Sequence, residues 1–194
     1  FQCGNPTLEV LTKYKDKINK SSILHELGLV PDCEGAMAQY FLVDIHRSEN
    51  VNNPQRLKSI FEGVNMIAEE FKSQVICSIH PKTKDKLTGI AFKKHDGVTF
   101  LDSFGFFDFV KLEQNARVGI SDSGLVSEEL CLLHVPCVIA RNETERPEVV
   151  EAGGAIISGT DSLSILECTK RMYQMKDKNW QIPNGYNDLN VSEK

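Results

Sequence analysis

The chain has 194 residues, of which 41% are hydrophobic and 25% charged, a composition typical of one compact domain with a substantial core. The formal net charge is −5 and no basic stripe appears in the sequence, so we expect no nucleic acid partner. No apolar run approaches the roughly 20 residues that a membrane-spanning helix needs, and the first residues lack the charged and then apolar pattern of a signal peptide. We therefore expect a soluble protein with no membrane partner.

Short apolar runs predict six β-strands, and the segments between them predict helices. The clearest helix covers 54–72, where apolar residues recur at the i, i+3, i+4, i+7 spacing of one helix face. Strands that alternate with helices need crossover connections, which predicts an α/β fold with a doubly wound parallel sheet in one domain over 1–194. The predicted strands are 40–45, 74–79, 98–101, 117–121, 136–140 and 155–158. The predicted helices are 5–14, 22–27, 54–72, 107–115, 124–133, 146–151 and 162–175.

Six cysteines raise the alternatives of disulfides, a metal site or free thiols. No two have C-x-x-C spacing, and three lie in apolar runs, where free cysteine behaves as a small hydrophobe. The pattern favours reduced thiols in a cytoplasmic protein, with no metal and no cofactor. The cysteines are Cys3, Cys33, Cys77, Cys131, Cys137 and Cys168.

A strand-to-helix turn at 121–124 is the strongest candidate ligand site, because open parallel sheets bind ligands beyond the carboxyl ends of their strands. The free N–H groups and dipole of the following helix favour an anion; Ser123 can donate its hydroxyl, and Gly124 permits close backbone approach. Glu129 lies in the second turn, where a carboxylate can accept hydrogen bonds from ribose hydroxyls. The alternative is structural: a serine caps the helix and the glutamates suit its positive end. Spacing alone does not separate the two interpretations.

Other strand exits carry further candidates, each with a structural alternative. His46 follows the apolar strand 40–45 and is either an acid–base group or an ordinary hydrogen-bonded histidine. Arg146 begins a short helix and either grips a phosphate or braces its loop. Phe104 and Phe109 belong to an aromatic cluster that could stack a base, although core packing is the default for such residues.

Taken together, these motifs resemble the C-terminal domain of the non-hydrolysing UDP-N-acetylglucosamine 2-epimerases, over the chain from Gly4 to its end. The resemblance rests on the order and spacing of five pieces. They are His46-Arg47-x-Glu49-Asn50, His80-Pro81, Asp122-Ser123-Gly124, Glu128-Glu129 and Thr144-Glu145-Arg146-Pro147-Glu148.

The resemblance implies a Rossmann-like domain that forms the C-terminal half of a two-domain GT-B enzyme, with a UDP-sugar as its ligand. The N-terminal domain and a last C-terminal helix would be absent from this sequence, which begins with Phe1 and not with methionine. The intact enzymes of the family are commonly dimers, so a homodimer is expected of the full-length protein.

Carried over position by position, the resemblance assigns a role to each candidate residue. Phe109 and the backbone around Phe104 fall near the uracil, and Glu129 falls on the ribose. His46 falls on the active-site histidine that this domain contributes. Ser123 and Gly124 fall on the diphosphate, and Arg146 falls close to the nucleotide.

The sequence also departs from the main branch of the family. Leu125 replaces the second glycine of a Gly-Gly pair, Ser127 replaces the glutamine of Gln-Glu-Glu, and Ser48 replaces a second arginine after His46-Arg47. These differences resemble a sub-branch that converts UDP-N-acetyl-L-talosamine to UDP-N-acetyl-L-fucosamine in capsule and O-antigen synthesis. Both that substrate pair and the conversion of UDP-N-acetylglucosamine to UDP-N-acetylmannosamine stay open.

In the family, C2 of the sugar is inverted by eliminating UDP and adding it back to the opposite face. The carboxylates that transfer the C2 proton belong to the N-terminal domain, so the 194-residue chain is expected to be inactive alone. Two alternatives remain: a GT-B glycosyltransferase domain, which binds nucleotide sugars by the same logic, and a non-catalytic nucleotide-sugar-binding module.

Overall fold

A six-stranded, entirely parallel β-sheet forms the centre of the computed structural model, which describes residues 3–30, 40–175 and 179–194. The strand order is β3-β2-β1-β4-β5-β6, so the chain winds outward in two directions from β1. The predicted doubly wound sheet is confirmed, and all six predicted strands are present. The strands are β1 Tyr40–Asp44, β2 Gln74–Ile79, β3 Val98–Asp102, β4 Val118–Ser121, β5 Cys137–Ile139 and β6 Ala155–Ile157.

Ten α-helices are described, and they cover both faces of the sheet. They are α1 Thr7–Lys13, α2 Lys15–Asn19, α3 Ile23–Glu26, α4 Ser48–Val51, α5 Pro54–Phe71, α6 Pro81–Thr88, α7 Phe106–Asn115, α8 Gly124–Leu132, α9 Pro147–Glu151 and α10 Ser162–Tyr173. A short 3-10 helix, Val191–Glu193, lies near the end of the chain. Within the described ranges, no helix is both long enough and apolar enough to cross a membrane.

Alternating strand residues divide the core into two layers. Phe41 and Val43 point to the layer that α5, α6 and α10 cover, whereas Tyr40 and Leu42 point to the layer beneath α7, α8 and α9. Helix α8 approaches the sheet closely at Gly119 of β4, where an added Cβ would meet Leu130 Cδ1 at 2.3 Å. This close packing holds the carboxyl-terminal half of α8 against β4.

Helix α5 has the boundaries that its sequence predicts, to within one residue. Asn53 caps its amino end by accepting hydrogen bonds from the N–H groups of Gln55 and Arg56, both at 3.1 Å. Pro54 occupies the first turn, where its missing N–H is not needed. Lys72 then leaves the helix with a left-handed φ of 48°.

Three short helices, α2, α4 and α6, were not predicted. Pro81 starts α6 directly after β2, because the N–H that proline lacks is unpaired in a first turn in any case. His80 caps the helix by accepting a hydrogen bond at Nδ1 from Lys82 N (3.2 Å). The single turn of α4 overlaps the His46-Arg47-x-Glu49-Asn50 motif after β1.

The five described cysteines carry free thiols, three of them buried in the core as expected. Cys33 lies outside the described residues. Because the strand order reverses between β1 and β4, the crevice between their carboxyl ends is the place where such sheets bind ligands.

Candidate nucleotide-sugar site

The carboxylate of Asp122, at the exit of β4, ties the neighbouring exit of β1 in place. It accepts hydrogen bonds from the backbone N–H groups of His46 and Arg47, each at 3.0 Å, and from Asn50 Nδ2 at 2.9 Å. Asn50 Nδ2 also donates to the carbonyl of Ala140 at 3.2 Å, at the exit of β5. One buried carboxylate thus joins the loops that follow three adjacent strands.

Burial raises the pKa of Asp122, and the hydrogen bonds from His46, Asn50 and Arg47 oppose that rise. The side chain is fully buried. A buried carboxylate with three donors fixes loop positions more firmly than an exposed one, because loss of any donor would leave a polar group unsatisfied.

Two arginines converge on the amino end of α8. A Cβ built on Gly124 would lie 3.8 Å from Arg47 Nη2 and 3.9 Å from Arg146 Nε. The helix begins with N–H groups that have no partner inside it, and its N-cap residue Ser123 makes no side-chain capping hydrogen bond. Two cations, a helix dipole and the Ser123 hydroxyl therefore meet at the amino end of α8, and we call this group the anion cradle.

Carboxylates hold both arginines of the anion cradle. Arg47 Nη2 lies 3.0 Å from Glu145 Oε1, and Arg146 Nε lies 2.7 Å from Glu128 Oε1. Glu145 also pairs with the buried Arg141. Its pKa lies below the ordinary value, first through its own backbone N–H and then through Arg141.

The buried Glu128 is held from a second side, because the hydroxyl of Tyr186 donates to its Oε1 at 2.9 Å. Tyr186 belongs to the C-terminal segment, which thereby contributes to the position of Arg146. Leu125, where the family main branch has a glycine, is 54% exposed beside this group.

His46 lies next to the cradle and is paired with an acid. Its Nδ1 is 3.0 Å from Asp44 Oδ2, and this hydrogen bond raises the pKa of His46 above its ordinary value against the effect of burial. The pairing thus stabilises the imidazolium form of His46, which carries a positive charge next to Arg47 of the cradle.

Two cavities flank the anion cradle. One of about 490 Å³ is lined by His46, Ser48, His80 and Lys82 among others, and one of about 470 Å³ is lined by Leu125, Glu128, Arg146 and Tyr186 among others. A ligand held at the cradle can extend to either side. In the described ranges, no three His, Cys, Asp or Glu side chains group closely enough to hold a metal ion.

Glu129 lies farther along α8, and only 5% of its surface is exposed. Burial raises its pKa to about 7; a hydrogen bond with Glu113 opposes the rise, and the charges of Glu128 and Asp44 add to it. The ribose role expected for this residue stays a prediction.

The structure places the two predicted uracil contacts on the element next to α8. Phe104 lies in the loop before α7 and Phe109 within α7, and both rings are half-buried against the core. The aromatic pairs of this region are formed by Phe106 and Phe107 with Tyr14. The structure therefore brings together His46, Ser123, Gly124 and Arg146, and puts Phe104 and Phe109 on the adjacent α7.

Sequence reasoning assigned no role to several residues that build the site. Asp122, Arg47 and Asn50 enter the sequence prediction only within the motifs that carry the family resemblance. Glu113 did leave a signal: it lies three residues after Val110 and four after Phe109, on the inward face of an apolar helix pattern. A carboxylate at such a position needs a buried partner.

The protein-family model described as UDP-N-acetylglucosamine 2-epimerase matches residues 1–194. The chain belongs to this family. An epimerase of that name from Methanocaldococcus jannaschii is 40% identical over 150 residues, which are 75% of this chain and 41% of the relative. The family resemblance drawn from the sequence motifs is thereby confirmed.

Solved structures agree with this family assignment. The M. jannaschii UDP-GlcNAc 2-epimerase in complex with UDP-GlcNAc and UDP has a TM-score of 0.87 and 33% identity, covering all of this chain and 52% of that one. The calicheamicin glycosyltransferase CalG4, at 16% identity and a TM-score of 0.50, shares the fold alone. The chain spans about half the length of the epimerases it matches.

The substitution Asp122→Asn should destabilise this epimerase-family chain by about 2–4 kcal/mol, because an amide group would face donors that now share a carboxylate. Chemical denaturation followed by circular dichroism measures the change. Asp96→Asn, at an exposed position, serves as the control and should change stability by less than about 0.5 kcal/mol. Equal stability of the two variants would contradict the role given to Asp122.

The substitution Asp44→Asn should lower the pKa of His46, which NMR titration of the imidazole measures directly. The folded-state pKa of His46 is raised, so the pair stabilises the fold below the ordinary histidine pKa, and this contribution is lost as pH rises through the raised value. The variant should therefore lose more stability at pH 5.5 than at pH 8.5. Asp102→Asn, at an exposed side chain, should leave the His46 titration unchanged; an unchanged titration in Asp44→Asn would refute the pairing.

Proposed function

We propose that the complete protein is a UDP-N-acetylhexosamine 2-epimerase and that this chain supplies its UDP site. The observation that carries the proposal is the convergence of Arg47 and Arg146 on the amino end of α8. Family membership and the solved epimerase complex with UDP-GlcNAc and UDP support the same assignment.

The anion cradle suits a diphosphate in charge and in hydrogen-bonding groups. The N–H groups at the start of α8 can donate to phosphate oxygens, and the helix dipole favours negative charge there. The Ser123 hydroxyl is not used for capping and is free to donate. Arg146 can share its guanidinium between Glu128 and a phosphate, since its five N–H donors exceed what one carboxylate needs.

The rest of the nucleotide would extend from the cradle along α8 towards α7. In this proposal the ribose hydroxyls donate to Glu129, and the uracil lies against Phe109 and the backbone around Phe104. The neighbouring placement of α7 and α8 supports this direction.

Elimination of UDP from a sugar develops negative charge on the leaving diphosphate. The positive groups of the cradle would stabilise that charge and keep UDP bound until it adds back to C1 from the opposite face. His46, whose pKa is raised by Asp44, would add positive charge beside the diphosphate or transfer a proton to it. The carboxylates that take and return the C2 proton would come from an N-terminal domain preceding this chain.

The finer assignments rest on sequence alone. Leu125, Ser127 and Ser48 favour the branch that forms UDP-N-acetyl-L-fucosamine, with UDP-N-acetylglucosamine as the alternative substrate. A homodimer and a cytoplasmic location stay predictions for the complete protein.

The 194-residue chain should bind UDP weakly, and Arg146→Gln should weaken binding about tenfold, because a charge-assisted hydrogen bond contributes about 1.5–3 kcal/mol. Titration with UDP, followed by amide NMR shifts, should first move the resonances of Ser123 and Gly124. The matched control is Arg171→Gln, at an exposed residue of α10, which should bind like the unchanged chain. Shifts confined to other parts of the sheet would argue against the cradle.

The complete protein should invert C2 of its UDP-sugar in deuterated water and place deuterium at that carbon, whereas the 194-residue chain alone should turn over nothing. Proton NMR of UDP-N-acetylglucosamine and UDP-N-acetyl-L-talosamine reactions measures both results.

Transfer of the sugar to an acceptor would instead identify a glycosyltransferase. Tight UDP binding without turnover, in a reading frame that encodes no preceding domain, would identify a binding module. Turnover by the chain alone would refute the placement of the proton-transfer carboxylates.

A further inference from the structure

The carboxyl group of Glu113, on the inner face of α7, is buried without a cationic partner among the described residues. Glu113 has no exposed surface, and neither of its oxygens receives a hydrogen bond from an N–H or hydroxyl of the described residues. The group within hydrogen-bonding reach is the carboxyl of Glu129 on α8. Two carboxyl groups can form a hydrogen bond only when one of them carries a proton.

We propose that Glu113 is a positioning residue for the nucleotide site: its protonated carboxyl donates a hydrogen bond to Glu129 and holds that carboxylate ready to accept the ribose hydroxyls. This inference rests on the proposed UDP site and adds to it a residue that does not touch the ligand.

The surroundings of the pair decide which carboxyl keeps the proton. Glu113 is the more deeply buried of the two, and burial, followed by the charges of Glu129 and Asp44, raises its pKa well above the ordinary value. The Glu129 pKa rises only to about 7. The more deeply buried Glu113 is therefore the carboxyl that holds the shared proton more firmly.

Several ionisable groups face the pair, and one of them, Asp44, is itself paired with the titratable His46, whose pKa it raises. Asp44 and Tyr40 on β1, Glu128 on α8 and Cys137 on β5 each interact with one member of the pair. Helix α2 packs against the first turn of α7, where Lys17 lies over the ring of Phe107. The segment between α2 and α3 meets the same turn, where the hydroxyl of Ser21 donates to Asp108.

A shared proton links ligand binding to pH. Ribose hydroxyls donate to an ionised carboxylate, so binding of a UDP-sugar should strengthen as Glu129 loses its proton on passing upward through pH 7. Without the donor at Glu113, burial would raise the Glu129 pKa further, and the same strengthening would occur at higher pH.

The test compares Glu113→Met, which removes the donor at similar side-chain volume, with Glu113→Gln, which keeps a neutral donor. UDP-N-acetylglucosamine serves as the probe, because its diphosphate does not titrate between pH 6 and 9. Amide NMR titrations of the 194-residue chain give the affinity, and the carboxyl carbon shift of Glu129 gives its pKa.

We expect Glu113→Met to raise the Glu129 titration midpoint by about one pH unit and to weaken binding roughly fivefold at pH 7, with recovery at pH 9. Glu113→Gln should keep the Glu129 titration midpoint close to that of the unchanged chain and its affinity for the probe within about twofold. Glu69→Met, at an exposed position of α5, controls for the substitution itself. If Glu113→Met acted only by damaging the fold, it would weaken binding at every pH and would not move the Glu129 titration midpoint.

An unmoved midpoint in Glu113→Met would overturn the inference, and so would a Glu113→Gln variant that behaves like Glu113→Met. Failure of the unchanged chain to bind the probe at any pH would instead refute the proposed site itself. Circular dichroism and the melting temperature check that Glu113→Met and Glu113→Gln are folded under the conditions of the titrations.

Discussion

The hydrogen bonds to the Asp122 carboxylate are the constraint on which the rest of the site depends. They bind the loop after β1 to the turn after β4, and through Asn50 to the end of β5. Without them Arg47 would not be held against the amino end of α8, and the cradle would lose one of its two arginines. Because the carboxylate is buried and has three donors, its geometry does not depend on a bound ligand.

A balance of charge governs what the cradle can bind. Each arginine of the cradle already contacts one carboxylate. A ligand therefore binds well only if it carries more negative charge than a single carboxylate. A diphosphate at a helix terminus meets this requirement, and a neutral sugar alone does not. The same pairing offsets the repulsion between the two neighbouring cations.

Much of this architecture follows from local sequence patterns, and the rest depends on long-range contacts. The six apolar runs and the helical spacing of Leu57, Ile60 and Val64 predict the sheet and its longest helix, because burial of those faces requires the observed layers. The turn at Ser123 and Gly124 is predicted because it joins an apolar strand to a helix. Helix α6 is not predicted, since a proline after a strand, such as Pro81, is compatible with a turn as well as with a helix start. The Asp122 hydrogen bonds and the Glu113–Glu129 pair join residues far apart in the sequence, and no local pattern reports such contacts.

The most direct test is a crystal structure of the chain grown with UDP. We expect the diphosphate at the amino end of α8, between Arg47 and Arg146, with the Ser123 hydroxyl on a phosphate oxygen and the ribose beside Glu129. A nucleotide bound elsewhere, with Ser123 and Glu129 free of contact, would contradict it.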